Sequence, residues 1–155
     1  MSIQIQRYYY PDGKLHYEIP QQNGRAHGLV KEYHPNGQLA IETPNENGLV
    51  NGIVRAWDSE GHLLGEYTLA QGNGIIKTWH ANGVLWGEVT VMKGMPTGLQ
   101  KTWYEDGVRL PDTYWLRGKR VSRKKYFEAC AVDSGLPQYP EKTPVGKKAR
   151  QPKHL

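Results

Sequence analysis

Four glutamates, Glu18, Glu42, Glu66 and Glu88, each stand eleven residues after a basic residue: Arg7, Lys31, Arg55 and Lys77. Convergent carboxylates are what general acid–base catalysis uses, and His34 and His80, each three residues before a glycine, could supply imidazoles beside them. Neither set fits a catalytic role. A reaction needs one pair in one place, whereas these glutamates recur in four copies, and the histidine position is shared with Tyr10, Asp58 and Tyr104. The six histidines show no metal-ligand spacing of the HExxH kind. The single cysteine, Cys130, excludes an intramolecular disulfide and a cysteine-cluster metal site, and reads as a small buried hydrophobe. The glycines sit between strand-like segments and not at a strand-to-helix turn, so none reads as a phosphate loop. The expectation is a protein that is not an enzyme and carries no cofactor or metal.

The recurrence has a frame. Aligned on Gly13, Gly37, Gly61, Gly83 and Gly107, the chain reads RYYYPDGKLHYE, KEYHPNGQLAIE, RAWDSEGHLLGE, KTWHANGVLWGE and KTWYEDGVRLPD, with glycine spacings of 24, 24, 22 and 24. A fixed period of this length is the signature of a repeat architecture. A second glycine set closes the units, in NGRAHG, NGLVNG, QGNG and KGMPTG. The third is two residues short, which accounts for the single 22 and marks a loop. Residues before each turn are β-branched or aromatic and those after it again suit a strand, so each phrase reads as one β-hairpin.

Two registers fit the turn. A two-residue Asn-Gly loop sets Lys31 across from Glu42; a three-residue loop sets Tyr33 across from Leu39 and turns the glutamate to the other face. The PDG and PNG triplets suit a type I turn followed by a glycine bulge and favour the second. One face then carries Tyr9, Tyr33, Trp57, Trp79 and Trp103 with Leu15, Leu39, Leu63 and Leu85, flanked by the stems of Lys31, Arg55, Lys77 and Lys101. The opposite face carries the four glutamates with Glu32, His34, Asp58, His80 and Tyr104. The expected fold is all-β: an open, elongated sheet of five tandem hairpins over residues 1–122, whose ends need covering.

In VSRKKYFEACAVDSG, Ser122 suits an N-cap, Tyr126, Phe127, Cys130 and Ala131 have helical spacing, and Gly135 is a stop. A short capping helix is expected over 123–136, docked on the last hairpin. Residues 137–155, rich in Pro and Lys, read as an extended or disordered tail.

At 155 residues, with 37% hydrophobic residues and a mean hydropathy of -0.72, the chain has one domain's length and no run long enough to span a bilayer. Its start lacks the pattern of a signal peptide, so a cytoplasmic location is expected. The net charge of +5 is uneven: residues 1–116 carry nine Lys/Arg against twelve Asp/Glu, and residues 117–155 carry eleven against three. The basic run from Arg117 to Lys125, with Lys142, Lys147, Lys148 and Lys153, could meet nucleic acid or anionic lipid, and solvated cap and tail residues explain it about as well.

The phrase aromatic-x-x-Asn-Gly-x-Leu-x-x-Glu, followed by Asn-Gly-x-x-x-Gly and an apolar pair, resembles the MORN-variant repeat. Over residues 7–122 the arrangement resembles the YwqK-type bacterial antitoxins. The fifth copy departs from the pattern, with Arg109 and Leu110 where one leucine is expected and Asp112 in place of glutamate. The resemblance implies a non-catalytic protein-binding module, an immunity or antitoxin protein that neutralises a cognate toxin encoded nearby by occluding its active site. It transfers no binding residues. An acidic repeat body suits a basic toxin, because charge complementarity speeds association. The partner-binding candidates are large or charged residues that break the consensus: Glu32, His34, Asp58, Trp86, Tyr104, Glu105, Asp106 and Trp115. No small-molecule substrate is expected, and nucleic acid is disfavoured. The alternative is a MORN-type scaffold or membrane-associated adaptor whose basic C-terminal segment contacts anionic lipid.

Overall fold

The structure, a computed structural model, describes residues 2–140. It divides into two compact units, Met1–Gly74 and Ile75–Leu155, a boundary that falls inside the stretch expected to form one repeat domain. Each unit carries an open antiparallel sheet whose main strands pair in chain order. The first holds β1 (Gln4–Tyr9), β2 (Leu15–Gln22), β3 (Arg25–Ala26), β4 (Gly28–Tyr33), β5 (Leu39–Glu46), β6 (Leu49–Val50), β7 (Gly52–Trp57) and β8 (Leu63–Ala70), and ends at the start of β9 (Asn73–Trp79). The second holds the rest of β9, then β10 (Leu85–Met92), β11 (Met95–Thr102), β12 (Thr113–Leu116), β13 (Lys119–Val121) and the helix α1 (Arg123–Val132).

Two kinds of turn build the ladder. Inside each repeat, His34 N–H donates to Gln38 O at 2.8 Å and Gly37 N–H to His34 O at 2.9 Å, closing a three-residue loop; the same pair of bonds recurs at Tyr10, Asp58, His80 and Tyr104. Gly37 sits at φ +88, the left-handed position that follows a type I turn in such loops. Between repeats the turn has two central residues, both with positive φ: Asn23-Gly24, Asn47-Gly48, Gln71-Gly72, Lys93-Gly94 and Arg117-Gly118. That is a type I′ turn, whose twist matches the flanking strands. Gly118 extends the closing set to a fifth member, masked in the sequence by its arginine.

The three-residue loop places Tyr33 opposite Leu39, as the turn residues predict, yet Lys31 also lies opposite Glu42. A β-bulge reconciles the two: Glu32 pairs with Ile41, leaving Ala40 as an extra residue. His16 and Leu64 are the extra residues in the first and third hairpins. The extra residue restores the phase of the strand, so the expectation that the glutamates occupy the face opposite the aromatics is overturned. Glu42 shares a face with Lys31 and Tyr33.

The shortened third connection is explained in the same terms. His27 and Asn51 interrupt the strand before β4 and β7, with their N–H groups donating to Pro20 O and Pro44 O. In QGNG the interrupting residues are missing and β9 runs straight out of the turn.

The core is thin in the first unit, where Ala40, Val54 and Leu69 are buried, and denser in the second, where Leu99, Tyr114 and Tyr126 cluster with Leu116, Val121, Phe127, Cys130 and Tyr139. Ser122 caps α1, its Oγ accepting from Lys125 N–H at 3.1 Å. The helix ends at Val132, short of the expected 136, because Asp133 turns out of the helix at ψ 99 and its Oδ1 accepts from Gly135 N–H. Its Tyr126 and Phe127 rings lie 5.4 and 5.8 Å from Tyr114 on β12.

Residues 137–140, assigned to the tail on composition, are docked. Tyr139 Oη accepts from Leu99 N–H at 3.0 Å, and Tyr126 Oη donates to Pro137 O at 2.6 Å. The remainder of the expected tail, 141–155, lies outside the described residues.

Candidate partner-binding surface

Three rows cross the first unit on one face. In the middle row Arg7 faces Glu18, Glu18 faces Lys31, Lys31 faces Glu42, Glu42 faces Arg55 and Arg55 faces Glu66. Charge thus alternates along the whole row. The Arg7–Glu18 and Arg55–Glu66 pairs close at 3.0 and 3.1 Å; being half exposed, each contributes about 0–1 kcal/mol, and their main effect is on register. One flanking row pairs Ile5 with Pro20, Leu29 with Pro44 and Ile53 with Thr68. The other pairs Tyr9 with Leu15, Tyr33 with Leu39 and Trp57 with Leu63. Ile5, Tyr9, Leu29, Ile53 and Leu63 are all exposed. The glutamates are therefore scaffold groups beside an apolar surface. Such a surface can bind another protein.

The position three before the turn glycine varies in type, yet at Tyr10, His34 and His80 it serves one purpose. Tyr10 Oη donates to Tyr33 O at 2.6 Å, His34 Nε2 to Trp57 O at 2.9 Å and His80 Nε2 to Trp103 O at 2.9 Å, each reaching 23 residues along the chain to the next repeat. Asn36 and Asn82 add a second stitch of the same span, through Nδ2 to Ser59 O and Glu105 O. Variation here reflects a carbonyl that accepts from any donor of the right reach. Asp58, which cannot donate, instead accepts from the N–H groups of Glu60 and His62 within its own turn. The His62 amide is the main cause holding its carboxyl below the ordinary carboxylate range.

The other candidates are placed as follows. Glu32 Oε1 accepts from Tyr17 Oη at 2.9 Å and lies 3.6 Å from His16 Nε2. Trp115 Nε1 donates to Gln100 Oε1 at 2.7 Å. Asp106 Oδ1 accepts from Val108 N–H inside the last turn, and Tyr104 is half-buried at its start. Trp86, Glu105 and Asp106 are the exposed candidates. Trp86 is 53% exposed, its ring 6.1 Å from that of His80, and Glu105 Oε1 stands 4.0 Å from His80 Nδ1. Trp86 falls at the position of the bulge residues His16, Ala40 and Leu64, where a side chain belongs to neither paired row.

Two groupings were not legible in the sequence. Tyr10 stacks on His16 and the Tyr17 ring lies tilted against it, both at 4.0 Å, with Glu32 closing the cluster. Burial, followed by the Glu32 carboxylate, raises the pKa values of both tyrosines. The second is a cleft of about 200 Å³ in the second unit, lined by Ile75, Glu88, Leu99, Lys101, Arg109 and Tyr139 among others. Tyr139 and Pro140 form part of its wall, and the composition of the tail gives no signal of that. Among the described residues, no group of three or more His, Cys, Asp or Glu could hold a metal ion.

A family model described as a MORN repeat variant matches the chain three times, at residues 5–23, 26–44 and 73–92. The β7–β8 hairpin, outside those matches, has the same bulged register as the two matched hairpins before it. No curated protein and no solved structure matches the chain.

Proposed function

We propose that this chain is a non-catalytic protein-binding module, and more specifically an immunity or antitoxin protein that neutralises a cognate bacterial toxin by occluding its active site. The observation that carries the binding part is the open face of the first unit. Ile5, Leu29, Ile53 and Leu63 remain exposed beside a row of charges that pair among themselves. The MORN-variant matches support the same reading, since the repeat supplies a scaffold and no reactive set.

The antitoxin reading rests on the likeness of the five-repeat arrangement to YwqK-type proteins. Residues 1–74 carry five Lys/Arg against eight Asp/Glu, a balance of -3, which suits a basic partner and speeds its capture. Within this reading the protein acts in the cytoplasm, where the toxin would harm its own producer. Co-expression with the product of the neighbouring reading frame tests it: growth rescue together with a complex stable through gel filtration is the expected result. The absence of both rescue and complex would refute the reading.

A further inference from the structure

β1 ends the strand order of its sheet, and every residue in it is exposed, whereas β4 and β7, which carry the same phrase, are mostly half-buried. The difference comes from neighbours. β4 and β7 each have a second strand on both sides; β1 has one on a single side. All three rows of the face therefore stop open at this edge: Ile5 is 49% exposed, the Arg7 side chain 46% and Tyr9 59%.

The order of the rows specifies what would continue them. First strands contribute aliphatic, basic and aromatic residues at alternate positions, and second strands contribute a proline or threonine, a glutamate and a leucine. We propose that β1 accepts a strand of the partner protein, added antiparallel, with an acidic residue opposite Arg7 and apolar residues opposite Ile5 and Tyr9. This inference rests on the protein-binding reading and names the mode of docking. It is local: one acidic side chain on the added strand is compatible with a partner that is basic as a whole.

Strand addition gives affinity through main-chain hydrogen bonds and specificity through alternate side chains. A second copy of the chain fits this edge poorly. Antiparallel pairing of two β1 strands centred on Arg7 opposes like charges, and pairing centred on Gln6 sets Arg7 against Ile5. A charged side chain on an edge strand discourages that kind of self-pairing.

The test uses the isotopically labelled full chain and two blocked synthetic heptapeptides, TLTETIT and TLTKTIT, followed by amide chemical shifts at low salt. The expected result is perturbation centred on residues 4–9, with the glutamate peptide bound about fivefold more tightly, the size of one favourable cross-strand pair exchanged for an unfavourable one. Arg7→Glu should reverse the preference. Arg7→Gln, which removes the charge without opposing Glu18, should abolish it. Equal affinity for the two peptides, shifts confined to other strands, or no shifts at millimolar peptide would overturn the proposal. So would concentration-dependent broadening of the β1 amides in the protein alone, because the occupant would then be a second copy. If the peptides fail while co-expression still gives rescue, the edge is wrong and the binding reading stands.

Discussion

Gly52 in the first unit and Gly98 in the second occupy the same place in the repeat, yet different parts of the chain close over them. Both sit at strongly positive φ, +127 and +118, with no room for a side chain. A Cβ on Gly52 would lie 2.9 Å from Pro44, its own repeat's proline; a Cβ on Gly98 would lie 2.5 Å from the Tyr139 hydroxyl and 3.3 Å from Pro137. The residue that corresponds to Pro20 and Pro44 in that repeat is Thr90, whose Oγ1 is 3.3 Å from the same hydroxyl. In the hairpin of Pro44 the proline is local and the face stays open. In the hairpin of Thr90 a segment forty residues away supplies the proline and covers the face, burying Leu99 to 6% while Leu29 stays exposed.

The largest effect expected from breaking this comparison is at Gly98→Ala. The added methyl must hold a strained backbone and displace Tyr139, which releases Leu99 N–H and uncovers the cluster beneath. A loss of about 3 kcal/mol or more is predicted, against about 1–3 kcal/mol for Gly52→Ala, which only strains the backbone and shifts a proline. Chemical denaturation of each variant measures the gap; equal losses would mean that Tyr139 contributes little.

Tyr126 gives the next effect. Burial is the main cause raising its pKa, so the folded state favours the neutral phenol. That stability is fully present below about pH 10, the ordinary tyrosine value, and falls as pH rises beyond it. Tyr126→Phe should cost about 1 kcal/mol at neutral pH through the lost bond to Pro137 O, and should flatten the alkaline decline. Urea melts from pH 7 to pH 11 would show both.

Pro44→Thr, which gives the first unit the residue found at position 90, should cost about 0.5–1 kcal/mol by removing the ring that Gly52 rests on and freeing the unfolded chain. An unchanged midpoint would show that the proline seat in the first unit is idle. The smallest effect is a gain: Lys93→Asn, at φ +50 in a type I′ turn, should stabilise by about 0.5 kcal/mol, because asparagine tolerates the left-handed region better than lysine.

Much of this was readable in the residues, and the exceptions share a cause. The turn glycines, the hairpins and the Ser122 cap are local signals, set by backbone sterics within a few residues. The bulge residues His16, Ala40 and Leu64 carry no common chemistry, so the return of the glutamates to the aromatic face could not be read from the turn alone. The donors Tyr10, His34 and His80 looked freely variable because their shared partner is a main-chain carbonyl, which leaves no trace in the sequence. Tyr139 was lost in the average composition of residues 137–155, although its hydroxyl and ring, with Pro137, dock the segment.

The central claim is that the uncovered face of the first unit receives the partner. Amide hydrogen exchange on the complex with the co-expressed product of the neighbouring reading frame, compared with the free chain, tests it most directly. New protection is predicted over residues 4–9, 29–33 and 53–57, strongest in the first of these. Protection confined to residues 96–140, with the first unit unchanged, would contradict the account.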